Sequence, residues 1–276
     1  MSVYYWGKKV LNILLLLLLL VIYLFPFYWM ITTSLKSELE AMGFPPSFFP
    51  TEIHLENYMT AWTHTNLFHY LKNSIIVTVL TVIGQLLICV PAAYAFAKKK
   101  FKLSKVFFGL ILFDLMVPIQ VTFLPNYILL TNIGWIDTYK ALIVPSLYSS
   151  FAIFFMTQTF KQIPDEILDA AKLDKTSEMK MITQIMLPMA KPIIITVALF
   201  TFISKWNDYF WTLIVTNSDA VRTLPIAMKS LLGAGDGLIQ WNIVMAGNVI
   251  LVAPLIILYV IANKQIKQAF VYGGIK

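Results

Sequence analysis

The segment SKWNDYFW, residues 204–211, holds the residues best suited to chemistry, a lysine and an aspartate three positions apart. On a helix this spacing puts Lys205 and Asp208 on the same face. There they can form an ion pair, which lowers the cost of two ionisable groups in an apolar segment. Lys205 can instead bind an anionic group such as a uronate or a phosphate, and the sequence leaves both roles open.

Aromatic side chains surround this pair at positions 206, 209, 210 and 211. Flat aromatic faces together with amide and carboxylate groups suit a sugar, whose ring offers C–H faces and outward hydroxyl groups. The same aromatic residues are equally typical of the belt that a membrane helix places at the interface. We therefore treat the segment as a candidate substrate pathway, with an interfacial belt as the alternative. The candidate residues are Lys205, Trp206, Asn207 and Asp208.

A second polar stretch, MVPIQVTFLPNY at residues 116–127, carries two prolines seven positions apart. Each proline inside a helix removes a backbone hydrogen bond, so some carbonyl groups must find other partners. Broken helices lined by polar groups are typical of substrate pathways in transporters. The alternative is that the prolines only kink a packed helix. The polar residues of this stretch are Gln120, Thr122, Asn126 and Tyr127.

Neither a catalytic site nor a metal site is predicted. The chain contains no Walker A motif, which would bind nucleotide phosphates, and no HExxH motif. His64 and His69 are five positions apart, which does not stack them on one helical face as a spacing of four would. Two other functional classes remain as alternatives: an intramembrane enzyme, and an ion-driven transporter or channel, either of which would use Asp114, Lys205 and Asp208.

The composition indicates a membrane protein. Hydrophobic residues make up 59% of the 276 residues and charged residues 13%, with a mean hydropathy of +0.75. Ordinary soluble domains are about 25% charged. We expect one all-α transmembrane domain over residues 1–276.

Six runs are long and apolar enough to cross about 30 Å of hydrocarbon. Four contain no charged residue, whereas the third contains Asp114 and the fifth contains Lys205 and Asp208. Ionisable groups at such depth usually face a cavity or a partner. The predicted spans are 11–35, 73–97, 106–130, 141–160, 192–215 and 238–263.

The distribution of basic residues predicts the orientation. With the N-terminus inside, 15 of the 21 Lys and Arg residues fall on the cytoplasmic side, as the positive-inside rule requires. Both termini are then cytoplasmic, and residues 34–70 form a long extracytoplasmic segment. The net charge of +7 is thereby explained by topology, and nucleic acid is not an expected partner.

The segment 165–188, DEILDAAKLDKTSEMKMITQIMLP, is charged and amphipathic within an otherwise apolar chain. Asp165 and Glu166 suit the first turn of a helix, where the dipole favours acids. A break near residue 175 and an N-cap at Thr176 or Ser177 start a second helix. The sequence predicts a cytoplasmic helix-turn-helix between spans four and five, within residues 161–191. Its five acidic residues favour docking to a protein over lying on lipid headgroups.

The same segment resembles the EAA loop of bacterial ABC importer permeases. Asp169-Ala170-Ala171, Asp174 and Ile185-x-Leu187-Pro188 match that pattern in spacing. MVPIQ…LPNY, FFMTQTFKQIP and WNDYFWTLIV extend the resemblance to carbohydrate-uptake permeases of the maltose-transporter inner subunit type. Two positions depart from the pattern, because Asp169 replaces the usual Glu and Lys175 replaces the usual Gly. Either the turn at Lys175 is right-handed or the strain of a left-handed lysine is tolerated.

The resemblance implies partners and a mechanism. It implies a second homologous permease subunit, two copies of a cytoplasmic ATPase and an extracytoplasmic sugar-binding protein, in the bacterial cytoplasmic membrane among its lipids. ATP and Mg would bind the ATPase, and this chain would bind no cofactor. The loop would seat in a cleft of the ATPase, with the small Ala171 facing that partner. The implied coupling residues are Asp169, Ala170, Ala171, Asp174, Lys175, Leu187 and Pro188.

Overall fold

The computed structural model describes residues 2–233 and 239–274, and this part of the chain forms helices without any β-strand. The helices are α1 (Ser2–Ser34), α2 (Glu38–Met42), α3 (Glu56–His64), α4 (Leu67–Lys98), α5 (Ser104–Asp114), α6 (Ile119–Asn132), α7 (Tyr139–Ile143), α8 (Ser150–Gln162), α9 (Asp165–Leu173), α10 (Glu178–Lys180), α11 (Leu187–Met189), α12 (Lys191–Trp206), α13 (Tyr209–Val215), α14 (Leu224–Leu231) and α15 (Trp241–Gly274). A 3₁₀ turn (Val144–Ser146) follows α7, and a π-helical segment (Met181–Met186) joins α10 to α11.

Four helical stretches of the described residues are long and apolar enough to cross a membrane. They coincide with the first, second, fourth and sixth predicted runs. Two further helix pairs pass the same test together but are sharply bent, so the number of spans lies between four and six. The four stretches are Trp6–Ser34, Leu67–Lys98, Tyr139–Gln162 and Trp241–Lys264.

The third predicted run is not one continuous helix. α5 ends at Asp114, α6 begins at Ile119, and the two helices are bent by 103°. Pro118 stands at the break with extended backbone, at φ −61° and ψ 129°. Proline has no N–H group to continue a helix, and it disfavours the helical conformation of the preceding residue. Pro125 lies inside α6, so only one of the two prolines stands at a break between helices.

The fifth predicted run is interrupted as well. Asn207 and Asp208 separate α12 from α13. The Asp208 side chain accepts a hydrogen bond from the backbone N–H of Trp211 and so caps α13. An aspartate in this position satisfies an N–H group that has no partner within the helix. The local sequence therefore favours a new helix start in the middle of the run.

The chain divides into two compact units, one made of Met1–Phe68 and Ala227–Pro254, the other of His69–Ile226 and Leu255–Lys276. In the first unit, buried polar groups hold the segment that follows α1. Lys36 is only 1% exposed, and its ammonium group donates to the carbonyl of Ser47 (2.5 Å) and lies 4.6 Å from the ring centre of Trp29. Asn57 donates to the carbonyl groups of Ser34 and Lys36.

The second unit has an apolar core, which α4, α8 and α12 share with the segments between α8 and α12. α4 approaches the chain near Leu147 so closely that a Cβ atom at Gly84 would lie 2.5 Å from Cδ2 of Leu147. Glycine at this position therefore allows the close packing. The core includes Cys89, Ala93, Met156, Phe160, Met186 and Val197.

Candidate functional site

A cavity of about 1020 Å³ opens within the second unit. The breaks in the helices border it, since the ends of α5 and α12 and the starts of α6, α8 and α13 all contribute lining residues. Its charged and amide-bearing lining residues are Gln85, Asp114, Asn126, Lys205, Asn207 and Asp208. Its aromatic lining residues are Phe123, Tyr148, Phe151, Phe200, Tyr209, Phe210 and Trp211.

Lys205 and Asp208 form the ion pair that their spacing predicts. The Lys205 ammonium group donates to Oδ2 of Asp208 at 2.7 Å, and the two side chains are 14% and 20% exposed. The other oxygen of Asp208 accepts from the N–H of Trp211 at 3.2 Å. Asp208 therefore both neutralises the lysine and caps α13, which holds the pair in a fixed position at the cavity wall.

Of the eight residues that the two stretches contribute as candidates, the structure brings five to the cavity: Thr122, Asn126, Lys205, Asn207 and Asp208. Gln120 and Tyr127 belong to α6 but do not line the cavity, and Tyr127 packs beside a different apolar cluster. Neighbouring residues of a helix point about 100° apart, so one helix cannot turn all its polar residues toward one cavity.

Trp206 also points elsewhere, although it stands beside Lys205 in the sequence. It is 1% exposed and stacks on Phe202, with ring centres 5.4 Å apart. The structure therefore places Trp206 in the packed interior and not at the cavity. Tyr209, Phe210 and Trp211, the other aromatic residues of the segment, do reach the cavity wall.

Several lining residues were not among the candidates derived from the sequence. Gln85 is 5% exposed in α4 and accepts a hydrogen bond from the hydroxyl group of Thr201 in α12. A polar residue within a long apolar run is a signal that could have identified Gln85. Tyr148, Ser149 and Ser150 carry no comparable signal.

The segment between α8 and α12 folds as two helical pieces. α9 ends at Leu173, and Lys175 adopts the left-handed conformation with φ +56°. A second piece starts at Glu178, after Ser177 in the N-cap position with extended backbone but no side-chain cap. The lysine at the usual glycine position therefore accepts the strain of a left-handed residue.

Ion pairs join this segment to the end of α4. Lys98 donates to Asp165 at 2.6 Å, Tyr94 donates to Glu178 at 2.7 Å, and Lys99 also pairs with Glu178. The hydrogen bond and charge of Lys98 lower the pKa of Asp165. The hydrogen bonds from Lys99 and Tyr94 lower the pKa of Glu178. Both carboxyl groups are thereby held in their charged form.

Apolar side chains bury the inner face of the same segment in the chain's own core. Leu168 is 3% exposed, Met181 2% and Met186 0%. Ala171 is 8% exposed and belongs to this core. α9 turns Ala171 toward its own subunit, and its predicted position against a partner stays a prediction.

The outer face of the segment is exposed and partly apolar. Ala170 is exposed, as are Leu173 at 85% and Met179 at 63%. The exposed Asp169 accepts a hydrogen bond from Lys172 at 2.8 Å, which raises the pKa of the lysine. Exposure at the other candidate coupling residues varies, since Asp174, Lys175 and Pro188 are exposed whereas Leu187 is half-buried.

Comparison with known proteins gives a consistent result. Residues 86–271 match the family model described as "Binding-protein-dependent transport system inner membrane component". The chain is 30% identical over 255 residues to the arabinooligosaccharides transport system permease protein AraQ of Halalkalibacterium halodurans, covering 91% of each chain. It is also 30% identical over 258 residues to the sn-glycerol-3-phosphate transport system permease protein UgpE of Brucella abortus, covering 91% of this chain and 92% of the relative.

Solved structures share the fold. One chain of a bacterial ABC transporter involved in the import of the acidic polysaccharide alginate superposes with a TM-score of 0.87 at 22% identity, covering 96% of this chain and 98% of that one. A chain of the bacterial alginate ABC transporter in complex with an alginate pentasaccharide-bound periplasmic protein gives a TM-score of 0.64 at 13% identity, with 96% of each chain covered.

Proposed function

Because this chain belongs to the family of binding-protein-dependent transport system inner membrane components, we propose that it forms half of the translocation pathway of an ATP-driven carbohydrate importer. It is a transport subunit and not an enzyme, so its work is to move a substrate without changing a covalent bond. Membership of this family argues against the two alternative functions that the ionisable residues left open, an intramembrane enzyme and an ion-driven transporter or channel.

The cavity is the observation that carries the carbohydrate assignment. Its volume of about 1020 Å³ is at the upper end of the range typical of ligand sites. Aromatic faces such as those of Phe123 and Tyr209 offer stacking surfaces for sugar rings, and the amides of Gln85, Asn126 and Asn207 can exchange hydrogen bonds with hydroxyl groups. The relatives named for arabinooligosaccharides and sn-glycerol-3-phosphate support a polyhydroxylated substrate.

The segment within residues 161–191 is the coupling element in this proposal. Its exposed outer face, which includes Ala170 and Leu173, would seat in a cleft of a separate ATPase that binds ATP and Mg. Its inner face is packed in the core, and its acids pair with the end of α4. A movement of the ATPase would therefore be passed to α4, which lines the cavity at Gln85. Such a contact must differ between the two states of the transporter to drive alternating access.

The proposed topology has six spans with both termini in the cytoplasm and residues 34–70 outside. α5 with α6 would then form the third span and α12 with α13 the fifth, each with its break at the cavity. Non-helical backbone at such depth is tolerated where it lines a cavity, and Asn207 and Asp208 do so. Residues 1–276 would form a single permease domain in the bacterial cytoplasmic membrane.

The apolar helix α1 supports the presence of a second permease subunit. In its most apolar stretch, no residue is buried within this chain. Such a surface needs lipid or another apolar protein surface. We expect α1 to pack against the homologous partner subunit, with lipid on its remaining face. We also expect an extracytoplasmic sugar-binding protein to deliver the substrate.

Transport measurements test this function directly. The complete transporter in lipid vesicles should take up labelled arabinooligosaccharides only when ATP and the binding protein are present. Uptake of carbohydrate without an ATPase, or ATP-driven uptake restricted to non-carbohydrate substrates, would refute the proposal.

Ala170→Asp tests the coupling element, because this alanine lies on the exposed face and not in the core. A carboxylate wedged into a closed protein cleft costs about 2 to 5 kcal/mol, enough to weaken docking by orders of magnitude. We expect the variant to insert normally but to lose its ATPase on purification. Ala170→Ser at the same site is the matched control and should keep the ATPase. A complex of normal composition and activity with Ala170→Asp would show that this face does not contact the ATPase.

A further inference from the structure

The side chains that line the cavity carry more negative than positive charges. Among the described residues that line it, three carry a formal charge: Asp114, Lys205 and Asp208. The remaining polar lining residues carry amides or hydroxyl groups. Two carboxylates and one ammonium group give the wall a formal charge of −1. The sign of this charge bears on which carbohydrates can enter.

The lysine is not available to an anionic sugar. Its ammonium group already contacts Oδ2 of Asp208 at 2.7 Å, and both groups are largely shielded from solvent. Asp208 is held in turn by the N–H of Trp211. To bind an anionic sugar, Lys205 would have to leave this fixed partner, which would strand the aspartate without its counter-charge.

Asp114 is the charge that this pair leaves uncompensated. It is the last residue of α5, where the carbonyl ends of the helix add further negative potential. Helix ends of the opposite sign also border the cavity, at the starts of α6 and α8. The end of α12 and the start of α13 border the cavity as well, so helix ends of both signs are present. Each helix end contributes about half a unit charge and those of opposite sign act against one another, whereas each charged side chain contributes a full unit.

We propose that the cavity selects uncharged carbohydrates and disfavours anionic ones such as uronates and sugar phosphates. The proposal rests on the transport function proposed above and specifies its substrate class. A carboxylate between apolar aromatic walls acts through a lower effective dielectric than water does, so one charge produces a sizeable potential in the cavity. The chain would then differ in selectivity from its relative named for sn-glycerol-3-phosphate, which is an anion, and from its structural neighbour in an importer of an acidic polysaccharide.

The potential can be measured without any transport. Ser204 lines the cavity and is exposed, so Ser204→Cys places a thiol there. The only natural cysteine, Cys89, is 0% exposed and should not react. The complete transporter in lipid nanodiscs is treated with a cationic and, separately, an anionic methanethiosulfonate reagent. The ratio of the two modification rates at position 204 is then compared with the same ratio at Glu52→Cys, an exposed site of the other unit.

We expect the ratio of cationic to anionic modification to be higher at position 204 than at position 52. Adding Asp114→Asn should lower it, because Asp114 lines the same cavity. For scale, any unit charge at a separation of about 10 Å changes the rate of a charged reagent about 2-fold to 15-fold at effective dielectric constants of 80 to 20. Lys205→Met combined with Asp208→Asn preserves the formal charge and should leave the ratio within about 2-fold.

A ratio at position 204 no higher than at position 52, or one unchanged by Asp114→Asn, would overturn the proposal. Because thiol modification needs neither ATP nor a sugar, this outcome is independent of the uptake assay that tests the transport function. If the anionic reagent reacted relatively faster at position 204 than at position 52 while carbohydrate uptake was normal, the charge preference would be refuted and the transport function would stand.

Discussion

Neighbouring residues at the cavity wall differ in what they contribute to the structure. Asp208 pairs with Lys205 and caps α13, whereas Asn207 beside it lies exposed at the cavity wall. An unpaired charge in a largely shielded place is costly, whereas removal of both partners of a pair often costs little. This asymmetry makes the ion pair testable by a double substitution.

Lys205→Met alone should reduce the amount of assembled transporter. Breaking a fully buried pair costs about 3 to 5 kcal/mol, and a pair with partly exposed partners costs less. Adding Asp208→Asn should restore most of the assembly, because asparagine can still cap α13. The measurement is the yield of assembled complex from membranes. Equal defects in the single and double variants would mean that Lys205 has a role beyond pairing with Asp208.

Lys175 offers a second test at this scale. A left-handed lysine costs about 1 to 2 kcal/mol, and its replacement by glycine removes that strain at an entropic cost of about 0.5 to 1 kcal/mol. We expect Lys175→Gly to stabilise the subunit by up to about 1 kcal/mol and Lys175→Val to destabilise it. Thermal unfolding of the purified complex measures both changes. A lower unfolding temperature for Lys175→Gly than for the unchanged protein would contradict the argument.

Among the elements, the proposed coupling segment, within residues 161–191, is joined to the end of α4 by two ion pairs. The pKa values of Asp165 and Glu178 lie below their ordinary values of 3.8 and 4.5. A lowered pKa in the folded state stabilises the fold above the ordinary value, and this contribution is lost as the pH falls through the lowered pKa. The two connections are therefore intact near neutral pH and weaken only in strong acid.

Lys98→Met should loosen this connection at neutral pH. It removes the group that pairs with Asp165, and the pKa of Asp165 should rise toward its ordinary value. We expect the number of sugar molecules transported per ATP hydrolysed to fall several-fold, because α9 then follows the ATPase without moving α4. Lys102→Met, at an exposed lysine nearby, is the matched control. An unchanged ratio in Lys98→Met would show that this ion pair does not transmit the movement.

At the scale of the whole molecule, the orientation in the membrane decides which segments can meet a cytoplasmic ATPase and which can meet an extracytoplasmic binding protein. Positive charges predict that the coupling segment lies inside and that residues 34–70 lie outside. Ser177 and Glu52 are exposed positions in these two regions, so each can carry a cysteine that a reagent can reach.

A reagent that cannot cross the membrane should label Glu52→Cys in intact cells but not Ser177→Cys. After the cells are opened, Ser177→Cys should react as well, because its side chain is exposed. Labelling is read from the mass shift of the purified subunit. Efficient labelling of Ser177→Cys in intact cells would invert the topology and exclude contact with a cytoplasmic ATPase.

The sequence by itself determined the properties that depend on local composition and spacing. Hydrophobic runs identified four helices that can cross the membrane, since hydrophobic length alone decides this. The three-residue spacing of Lys205 and Asp208 predicted their pairing, because the partners share one helix face. The pattern around Asp169-Ala170-Ala171 identified the family, which residues 86–271 confirm.

Only the tertiary structure decided which side of each helix meets which neighbour. Ala170 and Ala171 are the same residue type, yet the first is exposed and the second is buried in its own core. Trp206 likewise turns into the interior, whereas Gln85, from a distant part of the chain, reaches the cavity. Helix rotation and contacts between residues far apart in sequence depend on the packing of all the helices together, which no local pattern encodes.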